Sequence, residues 1–103
     1  MTRHKLDFNH TVVEIFEAQV QKTPHFIALQ EKNIEYSFLT LNEKANQFAY
    51  WLIKNSVKQG DLVAIFQEPN ANFIICMLAI IKVGAIYVPL DTLAPKIRLA
   101  EII

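Results

Sequence analysis

Ile80-Ile-Lys-Val-Gly-Ala-Ile-Tyr-Val-Pro-Leu-Asp91 is the stretch that decides how this chain folds. The apolar run Phe73–Ile81 leading into it is long enough for about two and a half helical turns. Gly84 stands where the residue after a helix end must take positive φ, which glycine does without steric cost. Ile86, Tyr87 and Val88 favour a strand, and Pro89, with no N–H to donate, belongs at its exit. Helix, tight turn and strand form the second half of a βαβ crossover.

The first half lies just upstream. Leu62-Val-Ala-Ile-Phe66 is apolar without alternation, which predicts a strand covered on both faces, as in parallel sheets. Glu68-Pro69-Asn70 ends it, and Asn70 or Asn72 caps the following helix. The two strands are then expected parallel, joined by a right-handed helical crossover.

The N-terminal half carries weaker punctuation. Residues 1–10 are polar and read as a flexible arm. Thr11-Val-Val-Glu14 has the pattern of a capping box and predicts a helix starting there. Val12, Val13, Phe16 and Val20 share its apolar face, Lys22 suits its C-terminal dipole and Pro24 stops it. Phe26–Gln30 and Ile34–Tyr36 are strand candidates joined by Glu31-Lys32-Asn33, with Asn33 suited to the left-handed conformation. Ser37 caps a long second helix whose inward face is Leu41, Ala45, Phe48 and Leu52, flanked by Trp51, with Glu43 and Lys44 outside. Asn55-Ser56 leads out of it, and Gly60-Asp61 makes a turn. Near the C-terminus Pro95 fits the first position of a last helix, with Leu99 and Ile102 or Ile103 inward. That helix has no cap, so a chain ending on Glu101-Ile-Ile reads as the first part of something longer.

Composition narrows the function classes. Hydrophobic residues make up 52% of the 103, enough for a buried core and against disorder. Ten acidic and ten basic residues balance, so no electrostatic footprint points to nucleic acid or an anionic membrane. Cys76 is the single cysteine, which excludes an internal disulfide. The N-terminus lacks an apolar signal-peptide core, and a cytoplasmic location is expected. The run Phe73–Leu90 carries only Lys82 as a charge and raises a membrane reading. A spanning helix takes roughly 20 apolar residues, whereas Lys82, Gly84 and Pro89 interrupt this run, so a buried α/β unit explains it better.

The opening stretch resembles the second core motif of the adenylation domains of nonribosomal peptide synthetases, usually Leu-Lys-Ala-Gly-x-Ala-Tyr-Val-Pro-Leu-Asp. Lys82, Gly84, Tyr87, Val88, Pro89, Leu90 and Asp91 match, while Ile81, Val83 and Ile86 are substitutions. Tyr36-Ser-Phe-Leu-Thr-Leu-Asn-Glu-Lys-Ala-Asn46 resembles the first core motif, with Thr40 where a Glu is usual and Phe38 where a Tyr is usual. In that motif Ser37 and the Glu would form a capping box, so the reciprocal bond is expected to weaken here. Phe16–Pro24 resembles the family's opening helix, and Pro95-Lys-Ile-Arg-Leu99 its Pro-x-x-Arg-Leu helix start. The likeness covers residues 12–103.

The resemblance implies an α/β fold: the first part of the large N-terminal subdomain of the adenylate-forming enzymes, at residues 11–103. Helices would pack on a short, mostly parallel sheet beside a small β-hairpin. It implies a parent reaction in which a carboxylate and ATP give an acyl-adenylate, then a thioester on a carrier protein, with ATP and Mg as cofactors. The family's phosphate loop is rich in Gly, Ser, Thr and Lys. This chain has only Gly60 and Gly84 and no such loop. A scaffold segment without a complete catalytic, cofactor or metal site is therefore expected, with an ATP-dependent ligase as parent. A stand-alone interaction module is the alternative reading.

Single residues point the same way. His4, His10 and His25 lack metal-ligand spacing, and Cys76 sits in an apolar run without a base or cation nearby. Lys82 suits a helix C-terminus, Asp91 a loop or cap, and Tyr87 the core. A dinucleotide site would need G-x-G-x-x-G after a strand, which is absent. Strands meant for double cover with few elements to cover them predict self-association, as a dimer or with the rest of an adenylation domain.

Overall fold

The computed structural model describes residues 8–67 and 70–91. Their order is α1 (Phe8–Lys22), β1 (Ile27–Glu31), β2 (Ile34–Ser37), α2 (Phe38–Lys54), β3 (Leu62–Gln67), α3 (Ala71–Lys82) and β4 (Ile86–Asp91). β1 and β2 form an antiparallel hairpin, and β3 and β4 form a parallel pair joined through α3. This is the α/β arrangement expected. The last helix expected from Pro95 lies outside the described residues.

The crossover closes as its glycine predicts. Gly84 has φ 81°. Its N–H donates to the Ile81 carbonyl at 3.0 Å, and the Ala85 N–H donates to the Ile80 carbonyl at 3.1 Å. These are the paired bonds of a Schellman motif, and Ala85 is buried beneath it. Helix α2 ends the same way without a glycine. Ser56 takes φ 72°, donates to the Ile53 carbonyl at 3.1 Å, and is followed by Val57 donating to the Leu52 carbonyl at 3.0 Å.

The starts of α2 and α3 are held by specific acceptors. Ser37 Oγ accepts the Thr40 N–H at 3.1 Å, so Ser37 caps α2 as expected. Thr40, standing where a Glu would reach back, instead accepts a bond from the Ser37 hydroxyl at 3.1 Å. The preceding amides of Phe38 and Leu39 donate to the carbonyls of Phe26 and Pro24. Asn70, one of the two expected candidates, caps α3 by accepting the Phe73 N–H at 2.9 Å. Glu31 Oε1, at the end of β1, accepts the Ala71 N–H at 2.8 Å. A carboxylate at a helix N-terminus also suits the helix dipole.

Four local expectations are corrected. Helix α1 starts at Phe8, so Thr11 lies inside it and residues 8–10 belong to the helix, not to an arm. The hairpin loop is two residues, and the left-handed one is Lys32 (φ 55°), not Asn33. In both favoured two-residue hairpin turns the first central residue carries positive φ, and a two-residue loop makes that residue Lys32. On α2 the buried residues are Leu41, Ala45, Ala49 and Leu52, with Phe48 only half-buried. Finally, among the described residues β3 is covered on one face only: Leu62 is 71% and Phe66 50% exposed.

The core explains the last two corrections. Ala45 packs with Ile75 and Leu78, and Ala49 and Leu52 pack with Ala79, Ile80 and Ala85. Small residues at a helix–helix seam let two backbones approach closely. Val63, Ile65 and Tyr87 pack against this cluster from the sheet. Helix α1 packs on α2 and α3, and the hairpin also packs on these two helices. Among the described residues, all the cover therefore lies on one side of the β3–β4 pair. Val20 of α1 is buried as expected, and Phe16 packs beside Leu41 and Ile75.

Lys82 ties α1 to the end of α3. Its side chain is 7% exposed, and its ammonium pairs with Glu17, which is half-exposed. The same ammonium lies 5.8 Å from the centre of the Phe16 ring. The stem thus covers apolar surface while the charge finds both a carboxylate and a ring face.

Three stability measurements follow from these contacts. A Cβ on Gly84 would meet Gln59 Cγ at 3.0 Å as well as a left-handed backbone, so Gly84→Ala should cost on the order of 1 kcal/mol or more in urea melts. Ser56→Gly should act in the opposite direction, raising stability by about 0.5 kcal/mol, because it relieves a left-handed non-glycine residue at some cost in chain entropy. In a double-mutant cycle of Lys82→Met and Glu17→Gln, a coupling of about 0.5–1 kcal/mol that shrinks in high salt is expected. Additive melts at low salt would mean that the pair contributes nothing.

Candidate functional site

The sequence motifs place their polar residues in structural positions. Cys76 is half-buried on α3, and burial pushes its thiol pKa up, which disfavours the nucleophilic thiolate. Lys82 is engaged by Glu17 and Phe16 as described. Tyr87 is partly buried against the core cluster, as expected. His25 is exposed, while His4 lies outside the described residues and His10 falls within α1. Among the described residues, no group of three or more His, Cys, Asp or Glu side chains could hold a metal ion.

Asp91 is the last residue of β4 and pairs in register with Gln67, the last of β3. The carboxyl ends of both parallel strands therefore lie side by side. This is the edge at which open α/β sheets carry ligands. The segments that follow both strands, 68–69 and 92–103, lie outside the described residues.

An open groove of about 410 Å³ runs between α2 and α3, lined by Lys44, Gln47, Phe48, Trp51, Asn72 and Ile75. The Phe48 and Trp51 rings stack on each other along its α2 side, 5.4 Å apart and 8° from parallel. Sequence reading placed Trp51 beside the inward face of α2, but it is 54% exposed. The groove offers an aromatic wall, one ammonium and two amides. It contains no general base or nucleophile, so it can hold a molecule but not transform one. Asn42 Oδ1 is buried on α2 without a hydrogen-bond partner among the described residues.

The sheet offers the other surface. In the register Leu62↔Ile86, Ala64↔Val88 and Phe66↔Leu90, side chains of paired residues point to the same face. Val63, Ile65 and Tyr87, on the alternate positions, meet the helices. The opposite face is wholly apolar and faces away from every helix described. No motif marked the groove, and only Val88 and Leu90 of the second core motif fall on the sheet face: alternation is invisible in a run such as Leu62–Phe66, apolar at every position.

Among the described residues no helix is long and apolar enough to cross a membrane. Comparison with known proteins agrees with the architecture. The family model described as AMP-binding enzyme matches residues 16–103. A linear gramicidin synthase of Brevibacillus parabrevis is 42% identical over 90 residues, 87% of this chain and 2% of that protein. Gramicidin S synthase 1 of Brevibacillus brevis is 34% identical over 102 residues, 99% of this chain and 9% of that protein. The chain thus spans a small part of the curated relatives it matches. The N-terminal subdomain of Klebsiella oxytoca NpsA superposes with a TM-score of 0.81 at 32% identity, covering 88% of this chain and 24% of that one. The artificially fused adenylation–carrier di-domain NpsA-ThdA superposes with a TM-score of 0.82 at 30% identity, covering 88% and 17%. With the Schellman-closed crossover, the capped helices and the hairpin all in place, the chain belongs to the AMP-binding enzyme family, as an N-terminal segment of a nonribosomal peptide synthetase adenylation domain.

Proposed function

We propose that this chain is a scaffold segment of an amino-acid-activating adenylation domain and is not catalytically competent alone. The parent reaction joins a carboxylate to the α-phosphorus of ATP with loss of pyrophosphate, and then passes the acyl group to a carrier-protein thiol. The observation that carries the reading is what the chain does with its glycines. The sequence contains two, and both stand at positive φ in turns: Gly60 at 88° and Gly84 at 81°. Neither is left for a loop that would bring several backbone amides around a triphosphate. ATP and Mg would then be held by other parts of the parent domain. The motif residues Lys82, Gly84 and Tyr87 serve the crossover instead.

The proposed partner is the rest of an adenylation domain or a second copy of this chain, and the proposed location is the cytoplasm. A second reading, a stand-alone interaction module, is favoured by the apolar face of the β3–β4 sheet that no described element covers. The two readings share the absence of chemistry in this segment.

The test is amino-acid-dependent ATP–pyrophosphate exchange with a panel of amino acids, on protein freed of host enzymes. Exchange at background is expected throughout. Exchange clearly above background would give the segment a site of its own and defeat the scaffold reading.

A further inference from the structure

Besides the face it buries against α3, helix α2 carries an exposed stripe. Lys44, Gln47, Trp51 and Lys54 follow one another at spacings of three, four and three, which lines them up along one side of the helix. All four are exposed, Trp51 at 54%, although a fold ordinarily covers most of a tryptophan. The Trp51 ring is stacked on Phe48, so it stands as a preset apolar platform. Lys44, Gln47 and Trp51 also line the groove whose other side is Asn72 and Ile75 of α3.

The charges sit at the two ends of the stripe. Lys44 and Lys54 are ten residues apart in sequence, about 15 Å along the helix axis. Among the described residues neither pairs with a carboxylate. Lys54 lies instead 5.4 Å from the centre of the Tyr50 ring. Glu43, beside the stripe, is the one acidic side chain on this helix, and no carboxylate lines the groove.

This layout selects its occupant. A small-molecule site buries most of its ligand, which an open groove cannot do. A second helix laid along α2 meets the whole stripe, because three-four spacing is what helices pack against. Apolar side chains of that helix belong opposite Trp51, and carboxylates opposite each lysine. With a lysine at both ends, either chain direction satisfies the pattern.

We infer that the Lys44–Gln47–Trp51–Lys54 stripe docks an acidic amphipathic helix of another protein, one with a carboxylate at each end of an apolar stretch about three turns long. Cover of Trp51 supplies the affinity, and the lysines supply the selectivity. The surface is separate from the β3–β4 face, and the exchange assay above bears only on the scaffold reading.

Trp51 is the single tryptophan of the chain, so its fluorescence reads the stripe directly. The probe is a synthetic helical peptide of about 18 residues without aromatic side chains, with leucines on one face between two glutamates set ten positions apart. A twin peptide carries lysines in place of the glutamates. Titrating the glutamate peptide into the full-length chain should shift Trp51 emission to the blue and saturate, with affinity falling in high salt. The twin should bind roughly tenfold more weakly, since two ion pairs become two repulsions. Lys44→Glu combined with Lys54→Glu, both at exposed positions, should reverse this preference and leave the urea melt near wild type. Phe26→Ser, an exposed aromatic before β1, should leave binding unchanged. The inference is overturned by a titration without a saturable shift, by equal affinity for the two peptides, or by a preference that survives the charge reversal. Emission from the chain alone also decides. A Trp51 already buried at every concentration gives the stripe to the chain's own residues, and one that becomes buried on concentration gives it to a second copy. Either result overturns the inference.

Discussion

The left-handed turn at Gly84 is the constraint on which the rest of the structure depends. It ends α3 and aims the chain back along β3. Its carbonyl accepts the Gly60 N–H at 2.9 Å, and the Asp61 carbonyl accepts the Ile86 N–H at 2.8 Å. These two bonds join the turn before β3 to the turn before β4, so both strands enter the sheet already aligned. The register Leu62↔Ile86 follows from that alignment. A slip of one residue would send every β4 side chain to the other face. The turn therefore also decides which residues reach the core, Val63, Ile65 and Tyr87, and which remain outside.

The hairpin has a second role beyond its own pairing. Together with the turn that leads into it, it supplies acceptors for the starts of α2 and α3: Pro24, Phe26 and Ser37 for α2, and Glu31 for α3. The first amides of a helix have no partner within it, and leaving them unsatisfied in a packed fold is costly. By meeting amides of two helices from one element, the hairpin fixes the starts of α2 and α3 relative to each other. The Ala45 and Ala49 seam can then close, and Lys82 at the far end of α3 reaches Glu17 of α1. No buried polar or charged residue lies in the core among the described residues, so orientation rests on these capping bonds, the Lys82–Glu17 pair and the shapes of small and branched side chains.

What was legible in the sequence was local. Gly84, Ser37 and Asn70 act within a few residues of themselves, and each cap or turn stands where its residue type predicts. The crossover and the hairpin followed from such signals and from apolar runs. The misreadings have a common cause. Thr11 has the spacing of a capping box, but α1 continues through it to Phe8, because a pattern permits a start without forcing one. Lys32 takes the left-handed position because the strands pair up to Glu31 and Ile34, a tertiary choice of loop length. Ala49 is buried because α3 presents Ala79 and Ile80 to it, which no pattern on α2 alone can say. The one-sided cover of β3 depends on where three helices settle, and an unbroken apolar strand looks the same in either case.

The second core motif can now be read residue by residue as a piece of mechanics. Lys82 spans to α1, Gly84 makes the turn, and Tyr87 enters the core between the sheet and the helices. Val88 and Leu90 alternate with them and turn the other way, toward a face that no described element covers. Residues that only served the crossover would have no reason to be apolar on that side, since a half-covered sheet ordinarily alternates apolar with polar. An apolar outer half therefore belongs to a strand built for two layers of cover. Among the described residues only the inner layer is present, and the motif lies at the boundary between it and the uncovered face.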